Sequence, residues 1–269
     1  MTWQPTCITQ FVEARKSSTQ VVIVETDAGR GYLKAMGNPE GEHTLACDWA
    51  GTQLAKWFGL LTLDQAIVEV DEFVEIRFFN GGLAQVGPAL VTRALKGESW
   101  SGRRGQLRKL RNPGDISRLV VFDTWILNRD RHSADRRNRD NVFLSAESKQ
   151  LELLAIDHTH CFGTSGGELT ERVAQIGNCR NRAVYGLFPE FQSFLDKDVL
   201  SQCVEQLGKI DETDVKRIIA GIPGPWRVSE TARAALVRFV LQRASYVADT
   251  IFERLWPQKE LRFIDGQED

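Results

Sequence analysis

The sequence lacks the common nucleotide-binding signatures. No GxxxxGK[ST] loop occurs, and no GxGxxG run follows a strand-like segment. These absences exclude ready assignment to the P-loop NTPases or the dinucleotide-binding folds. Long apolar runs are missing too: none approaches the ~20 residues of a membrane span. The opening MTWQPTCITQFVEARKSS has neither the charged start nor the apolar centre of a secretion signal. A cytoplasmic protein with no membrane partner is the expectation. Cysteine is sparse, with five residues (Cys7, Cys47, Cys161, Cys179, Cys203), odd in number, scattered and without a CxxC pair. That pattern excludes a disulfide framework and predicts reduced thiols. Neither sign of charge dominates: 34 Lys+Arg against 36 Asp+Glu give a formal net charge of −2. Direct nucleic-acid binding over a broad basic face is therefore not expected. The local run Arg103, Arg104, Arg108, Lys109, Arg111 reads first as a solvated loop. Internal repeats and low-complexity tracts are absent.

What the chain does have is apolar content, 42% of 269 residues, enough for one large core or two lobes. Gln20–Val24 and Gly31–Met36 read as strands across an Asp- and Gly-containing turn. The spacing of Ala46, Trp49, Ala50, Leu54 and Trp57 predicts a helix over His43–Phe58, stopped by Gly59. Gln65–Val70, Glu72–Phe78 and Leu83–Pro88 read as further strands, and Gly87-Pro88 as a hinge. Lys96–Pro113 reads as a mobile loop. Asp115 is a candidate cap for an apolar helix over Ile116–Leu127. Val142–Leu144 and Leu151–Ile156 form a predicted hairpin. A loop follows at Gly163–Gly167, then helices at Val199–Leu207 and Asp214–Ala220. A long helix over Glu230–Trp256 is capped by Ser229 and stopped by Pro257. The tail Gln258–Asp269 is polar and reads as disordered. The pattern predicts an α+β bilobal fold: a strand-rich N-lobe over residues 1–86 and a mainly helical C-lobe over 87–269, with the cleft near Gly87.

The chemistry concentrates between Asn128 and Phe162. Asp130 follows the apolar helix in a polar loop, NRDRH. A carboxylate there can orient a hydroxyl and take its proton. Asn141 begins one hairpin strand and Asp157 ends the next, so an antiparallel pairing brings the two together. One amide oxygen and one carboxylate suit magnesium, a hard ion that keeps waters and takes phosphate oxygens as its other ligands. Lys34, late in the strand GYLKAM, could hold α/β-phosphates if a carboxylate fixed it. Asp48 and Glu42 are the candidates. Ser17 and Ser18, in ARKSSTQ, could let backbone amides approach phosphates, although glycines would serve better. Gln85 and Gly87, at the expected hinge, complete the candidate nucleotide contacts. Zinc ligation by Asp157, His158 and His160 is a competing reading. It is opposed by neighbouring strand positions facing opposite ways, and no second His or Cys pair stands at finger spacing.

At these residues the chain resembles the HipA-like kinases from about Gln20 to Trp256. The carriers are FDTWILNRDRH (Phe122–His132), the DN at Asp140-Asn141, AIDHTHCF (Ala155–Phe162), GYLKAM and TLACDWAGTQLAKWFGL (Thr44–Leu60). The resemblance implies a protein-kinase-like fold. It also implies ATP and Mg2+ as cofactors, Asp130 as catalytic base, Asn141 and Asp157 as metal ligands, and Lys34 as the nucleotide lysine. Asp48 stands where the family usually shows a glutamate one methylene longer, and ARKSSTQ stands where it usually shows glycine. The implied activity is serine/threonine phosphorylation of a protein acceptor, including the chain itself. Phosphoinositide kinases share a similar aspartate–asparagine–aspartate layout. A nucleotide-binding pseudokinase module, a small-molecule kinase and an AMP transferase are the other readings. Some family members work with an antitoxin, so the resemblance allows an antitoxin-like or regulatory protein partner.

Overall fold

Val22, Val24 and Leu33 are fully buried, and their β-branched, alternating segments build the first sheet. The computed structural model describes residues 3–164 and 167–257. Its first sheet joins β1 (Ile8–Ala14), β2 (Val22–Thr26), β3 (Gly29–Lys34), β4 (Gln65–Val70) and β5 (Gly87–Arg93) in the order β1-β2-β3-β5-β4, all antiparallel. Helix α1 (His43–Trp57) connects β3 to β4. A second sheet of β6 (Gly97–Ser99), β7 (Val142–Ser145) and β8 (Glu152–Ala155) follows in the order β6-β7-β8. The remaining helices are α2 (Arg104–Leu107), α3 (Asp115–Trp125), α4 (Ile176–Cys179), α5 (Lys197–Gly208), α6 (Glu212–Ala220) and α7 (Glu230–Leu255). This is the expected α+β, kinase-like architecture, with a strand-rich first part and a helical second.

Several boundaries moved, each for a physical reason. The break expected after residue 86 falls ahead of a strand of the first sheet. Leu90–Arg93 pair with β3 and Gly87–Thr92 with β4, so the first lobe runs to Arg93, and Ala94–Lys96 connects the two sheets. Pro88 is tolerated because β3 has already ended alongside it, leaving its missing N–H without a partner to disappoint. Glu72–Phe78 is not a strand; its alternation serves an irregular excursion tied by a bridge from Arg77 to Leu83. Lys96–Pro113 is not a bare loop: it carries β6 and α2, anchored by buried Trp100, Leu107 and Leu110. Strand β1 was missed because most of its residues stay at least partly exposed at the sheet edge.

Two cores result. A small one fills the space around the first sheet, with Val22, Val24, Leu33, Val68 and Val91 among its members. The large one runs from α1 through α3 to α7, so α1 shares its core with the helices of the second lobe. Helix α3 is buried on nearly every face, as its apolar run predicts. Its C-terminal carbonyls are captured by Arg243 of α7, which donates to Trp125 O at 2.9 Å and to Thr124 O. That contact fixes the direction in which the chain leaves α3 for Asn128 and Asp130. Ser229 caps α7 as expected, its hydroxyl accepting from Ala232 N at 3.1 Å. Of the Gly163–Gly167 loop, Ser165 and Gly166 lie outside the described residues, as does the tail Gln258–Asp269.

Candidate active site

The site begins with a buried ion pair that a short hairpin cannot make alone. Asp123, inside apolar α3, and Arg131, in the loop after it, are both fully buried, with Nε to Oδ2 at 2.7 Å. Burial pushes the Asp123 carboxyl above its ordinary pKa, an effect that the Arg131 charge opposes. The same guanidinium donates to Asn141 O and, at 3.0 Å, to Ile156 O. Arg131 therefore ties α3 to the start of β7 and to the residue just before Asp157. Val142 pairs with Ala155, so Asn141 and Asp157 project from adjoining strand ends.

Asp130, one residue before Arg131, is almost buried. Its Oδ2 accepts from Asn141 Nδ2 at 2.7 Å and from Asn138 Nδ2 at 3.1 Å. Asp157 ends the hairpin in a left-handed conformation, φ 56°. Aspartate tolerates that region better than most residues, and such backbone outliers cluster at functional sites. The turn aims His158 N at Asp48 Oδ1, 3.0 Å away.

Lys34 closes the arrangement from the first sheet. Its Nζ lies 2.7 Å from Asp48 Oδ2 and 2.9 Å from Asp157 Oδ1, with Thr159 Oγ1 at 3.4 Å. Burial works against its charge, but the Asp157 and Asp48 carboxylates prevail and raise its pKa above the ordinary lysine value. Burial likewise works against the Asp157 carboxylate, and Lys34 with the Thr159 hydroxyl holds it well below the usual range. Asp48 is thus long enough. Gly51, one turn further along α1, explains why: a Cβ there would come within 2.5 Å of His158 Cβ. The bare glycine lets α1 lie against the 157–160 turn, and the close approach makes up for the methylene that a glutamate would add.

Gly51→Ala is a direct test of that account. The added methyl gains helix propensity, about 1 kcal/mol, and meets an overpacking cost of ~1–3 kcal/mol. We expect a small drop in melting temperature and a larger loss of nucleotide affinity, because Asp48 is moved away from Lys34. Unchanged affinity by titration calorimetry would refute the close-approach account.

Beside these groups opens a cavity of about 280 Å³, lined in part by Val21, Tyr32, Lys34, Leu90, Leu95, Phe143 and Asp157. Apolar walls with a charged end suit a planar base joined to phosphates. An apolar-walled slot between two sheets ends on a lysine held by two carboxylates, and the family described as HipA-like kinase matches residues 8–256. The chain belongs to the HipA-like kinase family. Solved structures share its fold. The Helicobacter pylori proinflammatory kinase CtkA is 15% identical with a TM-score of 0.55, over 93% of this chain and 98% of that one. The golgi casein kinase is 11% identical with a TM-score of 0.50, over 94% and 74%. No curated protein matches the sequence. Family and fold together support a kinase.

In this HipA-like kinase the expected residues divide. Lys34, Asp48 and Asp157 meet at one end of the cavity, and Asp130 and Asn141 bond each other at the adjoining strand end without lining it. Gln85 and Gly87 do not line the cavity. Gln85 N donates to Met36 O at 3.0 Å, and Gly87 sits beside Met36 at the start of β5. Leu95, in the connection after β5, occupies the wall expected of them. Ser17 and Ser18 are in the β1–β2 turn, where Ser17 is spent on the turn itself. Its hydroxyl accepts from Val21 N at 2.9 Å and its carbonyl from Gln20 Nε2 at 2.8 Å. The Ser18 hydroxyl meets the Glu40 carboxylate. Glu42 precedes α1 without joining Lys34.

The histidines play separate parts. His158 is buried, bonded to Thr52 at 3.0 Å, and burial with the Arg131 charge holds its pKa well below the usual value. His160 pairs with Glu40 at 3.2 Å, which raises its pKa. Sequence reasoning missed Asp123, Arg131, Gly51 and Thr159. A lone acid in an apolar helix was the available signal, since a buried charge needs a partner nearby.

Proposed function

We propose that this chain is an ATP- and magnesium-dependent kinase that moves the γ-phosphoryl group to a serine or threonine hydroxyl of a protein. The observation that carries the reading is Lys34 held between Asp48 and Asp157, with Asp130 bonded to Asn141 at the start of the adjoining strand. The donor chemistry fits a hard cation. Asn141 uses its amide nitrogen on Asp130, which leaves its amide oxygen to offer. Asp157 is kept ionised and its side chain is 34% exposed. Asn141 and Asp157 would hold magnesium, which when bound with nucleotide offsets phosphate charge.

The chain's own groups then have separable tasks. The apolar cavity walls take the base, and Lys34, steadied by Asp48, contacts the phosphates. Asp130 orients the acceptor hydroxyl and accepts its proton as the oxygen bonds to the γ-phosphorus. The bond from phosphorus to the β–γ bridging oxygen breaks, and ADP leaves with that electron pair. The self-bonded, glycine-free β1–β2 turn favours a loose grip on the phosphates. That feature keeps a nucleotide-binding pseudokinase as the second reading.

Asp157→Ala tests the metal assignment. We expect the magnesium-dependent part of ATP affinity to fall by ~100-fold or more, since even outer partners of a metal ligand are worth 10–100-fold. Metal-free ATP binding should persist, because Lys34 is released to the phosphates. Equal magnesium dependence in wild type and variant, read by calorimetry, would remove Asp157 from the metal site.

A further inference from the structure

The two oxygens of Asp130 are treated differently by the fold. Oδ2 is filled by Asn138 and Asn141. Oδ1 is buried and has no aligned hydrogen-bond donor among the described residues, yet Arg136 Nε stands 2.6 Å from it. The contact is an ion pair that covers the atom without satisfying it. A hydroxyl coming to Asp130 has only Oδ1 to donate to, so it must displace Arg136.

Arg136 is built to be displaced. Its backbone is fixed in a finger between Asp130 and Asn141. Ser133 N donates to Arg136 O at 2.9 Å, His132 bridges Arg137, and Asn138 N donates to Arg131 O at 2.9 Å. Its side chain is 58% exposed and has no second carboxylate partner among the described residues. Arg137, next on the finger, is exposed and adds a second positive charge. Moving a guanidinium off a buried carboxylate is costly unless another anion receives it.

Resting on the kinase reading above, we propose that Arg136 is a specificity-determining residue, selecting acceptors that carry a carboxylate beside the accepting hydroxyl. The acceptor's hydroxyl takes the place of Arg136 at Oδ1, and its carboxylate takes the guanidinium. Neutral acceptors leave Arg136 competing for Asp130, and lysine-flanked acceptors add repulsion.

The test uses the full chain, γ-labelled ATP with magnesium, and serine peptides flanked by glutamate, alanine or lysine. Wild type should prefer glutamate-flanked over alanine-flanked peptides in kcat/KM by roughly 10- to 100-fold, the worth of a charged hydrogen bond. In Arg136→Ala that ratio should collapse to near one. Arg136→Glu should turn the preference toward lysine, and Arg136→Lys should restore part of the original order. Transfer by wild type without acidic preference, or a preference that survives in Arg136→Ala, overturns the proposal and leaves the kinase reading standing. Transfer to no peptide and to no lysate protein overturns both.

Discussion

Asp130→Ala should stop phosphoryl transfer while leaving metal-free nucleotide binding in place. A positioned general base contributes ~10²–10⁴-fold, so transfer should drop by that factor. Asp130 touches neither Lys34 nor Asp157 directly, and its hydrogen-bond partners, Asn138 and Asn141, keep their own backbone anchors. ATP affinity measured without magnesium should therefore change by less than about threefold, well under the 1.4 kcal/mol that a tenfold change requires, while the magnesium-dependent part, which rests on Asn141, falls by up to ~10–100-fold. Parallel calorimetry and single-turnover transfer separate the effects. A variant that loses metal-free binding and transfer together would make Asp130 part of the nucleotide site and not the base.

The second large effect concerns Arg131, which lies outside the cavity lining and reaches it only through the Ile156 carbonyl. Arg131→Met leaves the Asp123 carboxylate fully buried without its partner and unties Asn141 O from Ile156 O. Breaking one side of a buried pair costs about 3–5 kcal/mol. At ~2–4 °C per kcal/mol for a chain of this size class, thermal unfolding should shift down by on the order of ten degrees. The double variant Asp123→Leu with Arg131→Met should regain most of that stability, since two apolar residues of suitable volume can replace such a pair nearly neutrally. Transfer should stay low in the double variant, because the two strand ends that carry Asn141 and Asp157 are no longer joined. Full recovery of both properties would make Arg131 a stability device alone.

The parts of this molecule legible in the sequence were those with local causes. Asp130, Asn141 and Asp157 stood out because short apolar runs flank polar residues that those runs do not need, and the hairpin follows from the same pattern. Helices α1 and α7 were readable from their apolar spacing and from caps such as Ser229. What could not be read depended on contacts between distant segments. Asp48 seemed too short for Lys34 until the packing of Gly51 against His158 set the distance. The role of Arg131 was hidden because its partner, Asp123, lies in a helix among apolar neighbours, eight residues back in the chain. Gly87-Pro88 carries every mark of a hinge, yet the pairing of β5 with both β3 and β4 absorbs it into the first sheet. The glycine-free turn at Ser17 was visible, but its self-satisfied hydrogen bonds were not.

We propose that this chain transfers the terminal phosphoryl group of ATP to a protein hydroxyl through Asp130. The most direct measurement incubates wild type and Asp130→Ala with magnesium, a host-cell lysate and ATP labelled at either the α or the γ position. Label from the γ position alone, appearing on serine or threonine of protein and lost in Asp130→Ala, is the predicted result. Label from the α position would mean transfer of AMP, and γ label indifferent to Asp130, or no label at all, would contradict the account.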